Sequence, residues 1–98
     1  METFNDIISA DQLVLVDFFA TWCQPCQMMH PILEQLKASV GDKLRIIKVD
    51  VDRHSDVAAQ WRIQSVPTLM LFRNGEVLYR NSGVMDKAEL MALLAPFM

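Results

Sequence analysis

The run Leu13-Val-Leu-Val-Asp-Phe-Phe-Ala20 constrains this fold more than any other stretch of the chain. It is apolar almost without break and rich in β-branched and aromatic residues, the pattern of a strand buried on both faces. Such a strand needs one layer of structure above it and another below. A chain of 98 residues has room for one compact domain, residues 1–98, to supply both layers. Its hydrophobic fraction of 52% suits a globular core and excludes a disordered chain.

The segments around that run alternate in type. Thr3–Ser9 reads as a short helix with Phe4, Ile7 and Ile8 on one face. Beyond Thr21-Trp-Cys-Gln-Pro-Cys26, residues Met28, Met29, Ile32, Leu33, Leu36 and Val40 recur at helical spacing. Pro25 suits a helix's first turn, and Gly41-Asp42 ends the helix. Pro31 lies inside it and should kink it, having no N–H and colliding with the preceding turn. Leu44–Asp50 is a second strand, and His54–Trp61 a helix capped by Ser55 or Asp56. Thr68–Arg73, Asn74-Gly75 and Glu76–Arg80 make a strand, a tight turn and a strand, hence a hairpin. Asp86-Lys-Ala-Glu89 resembles a capping box that opens a last helix, with Leu90, Met91, Leu93, Leu94 and Phe97 on its buried side. The order α-β-α-β-α-β-β-α predicts an α/β fold. Helix-separated strands should pair in parallel, the hairpin should form an antiparallel edge, and helices should cover both faces of the mixed sheet.

Charge and termini narrow the function. The net charge is −3 and the nine basic residues are scattered, which argues against a nucleic-acid partner. The amino terminus lacks the basic and apolar regions of a secretory signal, and no apolar run approaches the roughly 18 residues that span a bilayer. A soluble intracellular protein with no membrane partner is therefore expected. The two cysteines are too few for a secreted disulfide scaffold. A bridge between them would close a tiny loop and add little stability, so chemistry is the better reason for the pair.

Cys23-Gln24-Pro25-Cys26 falls where a buried strand gives way to a helix. The free N–H groups of a helix's first turn, and the positive end of its dipole, favour an anion there. Cys23 is placed to feel both, and the thiolate is the species that attacks a disulfide. Cys26, one turn in, is shielded yet within reach of a mixed disulfide. The same spacing occurs in c-type haem attachment, which needs His after the second cysteine, where this chain has Gln27. It also forms half of a zinc site, but no second cysteine pair completes one, and His30 and His54 are the only histidines. No metal is assigned, and elemental analysis would settle that rival.

Trp22-Cys23-Gln24-Pro25-Cys26, preceded by Val16-Asp17-Phe18-Phe19-Ala20 and followed by Val66-Pro67-Thr68, resembles the thioredoxin family. The similarity runs through essentially the whole chain and includes the helix-kinking Pro31. It implies the thioredoxin fold and protein disulfide reduction by dithiol–disulfide exchange, with Cys23 the nucleophile and Cys26 the resolving thiol. It implies no bound cofactor. The Cys23–Cys26 disulfide would be recharged by thioredoxin reductase and, behind it, NADPH. It further implies disulfide-containing protein substrates, a monomer and a cytoplasmic location.

Several other residues carry two readings. Asp17, inside the apolar run, either faces solvent at an edge or, as the resemblance implies, lies beneath the dithiol and accepts the proton of Cys26. Lys48 is either a surface residue on a strand edge or, as the resemblance implies, a charge that approaches Asp17 and biases it toward its ionised form. Trp22 either caps the core or shields the thiol and offers partners a flat apolar face. Pro67 is either a turn proline or, by resemblance, a cis proline facing the dithiol, with the backbone of Val66 pairing with the substrate chain. Gly83 either serves a plain turn or lets a partner's backbone come close. His30 faces either the core or the surface, and nothing in the pattern decides between them.

Two residues depart from the family's usual pattern. Gln24 stands where Gly is usual, which bears on potential and partner choice, while Pro25 favours a reductant. Phe19 stands where many members carry Trp. Two rival functions stay open: an oxidant or isomerase of the same fold, told apart by dithiol potential, and a partner-binding module in which redox chemistry is incidental.

Overall fold

The computed structural model describes all of residues 1–98. Its elements in chain order are α1 (Phe4–Ser9), β1 (Val14–Phe19), α2 (Gln24–Val40), β2 (Arg45–Asp50), α3 (Ser55–Gln60), β3 (Thr68–Arg73), β4 (Glu76–Ser82) and α4 (Lys87–Leu94), with short 3-10 turns at Gly41–Lys43 and Ala95–Phe97. The four strands form one sheet in the order β2-β1-β3-β4. β1 is central and, as its composition requires, buried along both faces. Successive side chains of a strand point to opposite sides. Leu13 and Leu15 therefore join Leu69 and Leu71 under α2 and α4, against Met29, Leu33, Leu36, Leu90 and Leu94. Val14, Val16 and Phe18 join Met70 and Phe72 on the other side, beneath Ile8 and Phe4 of α1 and Val57 of α3.

β1 and β2 pair in parallel, with Asp17 opposite Lys48. β3 follows a helix too, yet it runs antiparallel to β1, with Leu69 opposite Asp17. The cause is length. A six-residue helix rises only about 9 Å, whereas a six-residue strand is about 20 Å long. α3, with six residues, cannot carry the chain back down the sheet. The 17-residue α2 can, at about 25 Å, and β2 follows it in parallel. β3 therefore starts at the end where β2 stops.

The local signals are mostly realised. Thr3 and Asp86 each cap their helix through a reciprocal box, with Asp6 and Glu89 returning the bond. The turn between β3 and β4 uses Asn74 and Gly75 at φ 54° and 78°, the left-handed pair that suits a twisted hairpin. α2 continues through Pro31 and closes at Gly41, whose φ of 57° places it in the left-handed region. There the Lys37 ammonium donates to the Gly41 and Leu44 carbonyls at 2.8 and 2.6 Å. The start of α3 differs from expectation. His54 holds the N-cap position without a side-chain bond, and Ser55 and Asp56 are already helical. The Asp50 carboxylate instead folds the chain before it, accepting from the N–H groups of Asp52 and Arg53. No helix is long and apolar enough to cross a membrane.

Candidate active site

The central strand and the long helix meet at the dithiol. β1 ends at Phe19, and the chain turns through Ala20, whose carbonyl accepts the Cys23 N–H at 3.2 Å. Cys23 is thereby seated as the N-cap of α2, in an extended conformation. Its Sγ accepts the Cys26 N–H at 3.2 Å, so an unpaired amide of the helix's first turn points at the sulfur. Pro25, exposed at the helix start, needs no N–H partner there. Cys23 and Cys26 are joined as a disulfide. Cys26 is fully inaccessible and Cys23 is 4% exposed, while Gln24 and Pro25 stand out in solvent. Of the two residues, only Cys23 retains accessible surface.

Around Cys23 three distant segments converge. Trp22 is 70% exposed, which excludes its reading as a core cap. Its indole N–H donates to Asp52 Oδ2 at 3.0 Å, so the ring is held from β2's end of the sheet. The Val66–Pro67 peptide is cis, Pro67 is buried, and the Val66 carbonyl oxygen lies 3.7 Å from Cys23 Sγ. The buried Thr68 hydroxyl steadies this loop by donating to the Ser65 carbonyl at 2.7 Å, and it lies 3.0 Å from Ser82 Oγ. Gly83, at φ 106°, donates its N–H to the Pro67 carbonyl at 2.9 Å, and the space a Cβ would take is open. Trp22, Val51, Ile63, Gln64, Ser65 and Val66 line a shallow groove beside the disulfide.

Asp17 is not at a solvent edge. Its side chain is fully buried, and neither carboxylate oxygen has a hydrogen-bond partner. Burial pushes the carboxyl up from 3.8 to about 6, and the positive charge of Lys48 pulls against that rise. Lys48 is exposed and forms no ion pair with Asp17, so it acts on the carboxylate through space. Sequence reasoning missed two participants. His30, left undecided there, brings Nδ1 to 3.9 Å from Asp17 Oδ2 and stacks edge-on against Phe19 at 5.3 Å. Its position one helical turn beyond Cys26 was the available signal. Asp52, the partner of Trp22, carried no signal at all. No group of three or more His, Cys, Asp or Glu side chains comes together as a metal cluster.

A family model described as Thioredoxin matches residues 1–96. The chain belongs to the thioredoxin family. A thioredoxin of Chlamydia caviae is 47% identical over 93 residues, covering 95% of this chain and 89% of that protein. A thioredoxin-like protein of Synechocystis sp. is 48% identical over 84 residues, covering 86% and 80%, and the thioredoxin of Bacillus subtilis is 41% identical over 86 residues, covering 88% and 83%. Among solved structures, a thioredoxin-2 described as a component of malaria parasite protein secretion machinery superposes with a TM-score of 0.84. It is 29% identical and covers 87% of this chain and 82% of its own. Thioredoxins are protein disulfide oxidoreductases, and this member carries its cysteine pair bonded at the mouth of a helix. It is a thiol–disulfide oxidoreductase.

Proposed function

We propose that residues 1–98 act as one thioredoxin domain that reduces protein disulfides, with Cys23-Gln24-Pro25-Cys26 as the active site. The observation that carries this reading is the Cys26 N–H aimed at Cys23 Sγ, with Cys26 sealed behind it. Once the pair is reduced, that amide and the helix dipole favour Cys23 as thiolate. The thiolate attacks one sulfur of a substrate disulfide, forms a Cys23–substrate bond and expels the other sulfur as a thiolate. Cys26 then gives its proton to Asp17 and attacks Cys23 Sγ. The Cys23–Cys26 bond forms, the substrate's second thiolate leaves, and two electrons have passed from the dithiol to the substrate. Lys48 assists by favouring the ionised, proton-accepting form of Asp17.

Trp22, Gln24 and Pro25 supply the exposed face on which a partner rests. Val66 lies just outside the β3 ladder, which begins at Thr68, so its backbone is free to pair with a substrate strand. Pro67 and Gly83, tied together, hold that edge open. Thioredoxin reductase, drawing on NADPH, returns the pair to the dithiol. A monomer working in a reducing compartment such as the cytoplasm fits this cycle.

An insulin-reduction assay with NADPH and a thioredoxin reductase tests the reading directly. Steady NADPH consumption that Cys23→Ser abolishes is the expected result. A pair that stays oxidised in the presence of the reductase would overturn the recycling route. Full cellular activity in the double Cys→Ser variant would overturn the redox function in favour of a binding module.

A further inference from the structure

The carboxylate of Asp17 has no accessible surface and no hydrogen-bond donor. A proton delivered to it needs a polar neighbour through which to leave. Lys48 lies opposite it on β2 without forming an ion pair, and Leu69, its partner on β3, is apolar. His30 is the basic side chain that comes within ion-pair distance of it. Its Nδ1 is buried and unpartnered, 3.9 Å from Asp17 Oδ2, while its side chain as a whole is 25% exposed. A slight ring rotation or a single bridging water closes that gap. On its own helix His30 feels the charge of Glu34, which with Lys37 and Lys48 borders a shallow surface groove.

We propose that His30 and Asp17 share one proton as a dyad, and that His30 is the positioning residue linking the buried base to solvent. This rests on the role given to Asp17 above. The proton that leaves Cys26 passes from Asp17 to His30 Nδ1, and the imidazolium releases the proton on Nε2 to water. No bond other than these N–H, O–H and S–H bonds changes in the relay, and no electron moves. Burial raises Asp17 and, together with Lys48, lowers His30, while Glu34 opposes that lowering. The two shifts run toward each other, and neighbouring sites that interact titrate as a pair.

The test follows the Asp17 carboxyl and the His30 imidazole by NMR across pH in the reduced protein. In parallel it records the pH profile of thiol release from a Cys23-linked peptide mixed disulfide. In the wild type each signal should show two inflections. His30→Phe keeps the aromatic contact with Phe19, and His30→Gln keeps a polar group should the first variant fold poorly. In both, Asp17 should titrate in a single step displaced upward by about one unit, because Lys48 alone then opposes the burial penalty. Release below that midpoint should slow about tenfold, since one unit of midpoint is one decade of ionised base. An Asp17 curve or a release profile unchanged by these substitutions overturns the dyad and leaves His30 a packing residue. Asp17→Asn separates the two claims. If it slows release while the His30 variants behave as wild type, only the dyad fails; if it leaves release unchanged, the role of Asp17 itself falls.

Discussion

Cys23 and Cys26 carry the same side chain in different surroundings. One caps a helix and accepts an amide N–H, and the other is sealed beneath it. That difference is the basis of the order of attack proposed above. Cys26→Ser should therefore accumulate covalent adducts with disulfide-containing proteins, visible on non-reducing gels and released by dithiothreitol. Lack of adducts despite an alkylatable Cys23 would reverse the assignment. A second residue-scale prediction concerns Asp17. Its carboxyl sits near 3.8 in the unfolded chain and about 6 in the folded one, so the native state binds the proton more tightly. The resulting stability is fully present below about pH 4 and is lost as pH rises through 6, a fall of about 3 kcal/mol at full effect. Urea unfolding of the oxidised protein across pH 4–8 measures it. Asp17→Asn should remove that slope, and an equally steep slope in the variant would assign it to other groups.

The helices act as elements through their ends. α2 turns its first amides on the dithiol, and α4 is anchored by Asp86, whose carboxylate accepts the Glu89 N–H at 2.8 Å while Glu89 returns the bond at 3.1 Å. Asp86→Ala should cost about 1 kcal/mol, the usual worth of an N-cap. It should leave exchange kinetics unchanged, because α4 packs on α2 away from the site. A denaturant titration beside a stopped-flow exchange assay reads both quantities. On β4, Arg80 reaches back to donate to the Trp61 and Arg62 carbonyls at 2.6 and 2.8 Å, pinning the turn that leads into the Val66 loop. The loop facing Cys23 is thus braced from the sheet's far edge.

For the whole molecule, the sheet divides the core into two apolar layers, and the disulfide sits at the end where β1 passes into α2. Leu36 is buried in the α2 layer, clear of the dithiol. Leu36→Ala should lower stability by about 3–5 kcal/mol through lost burial and a residual cavity. Urea unfolding should show a lower midpoint while reduction of insulin at low denaturant stays near wild type. A large loss of activity in still-folded protein would mean that the layer positions the thiols as well as holding the fold.

Local periodicity and end signals were written in the chain. The doubly buried β1, the capped termini at Thr3 and Asp86, the Asn74-Gly75 turn and the cysteine pair at a strand-to-helix junction all depend on residues within a few positions of one another. The same local reading missed the start of α3, because the Asp50 carboxylate supplied the turn there in place of a Ser55 or Asp56 cap. It left undecided whatever depends on distance through space. Only tertiary packing turned β3 antiparallel to β1, set His30 beside Asp17, placed Lys48 opposite Asp17 without an ion pair, and brought Asp52 to Trp22 and Gly83 to Pro67. Those pairs are remote in the chain, and a pattern of apolar spacing records which face a residue occupies, not which residue waits opposite it.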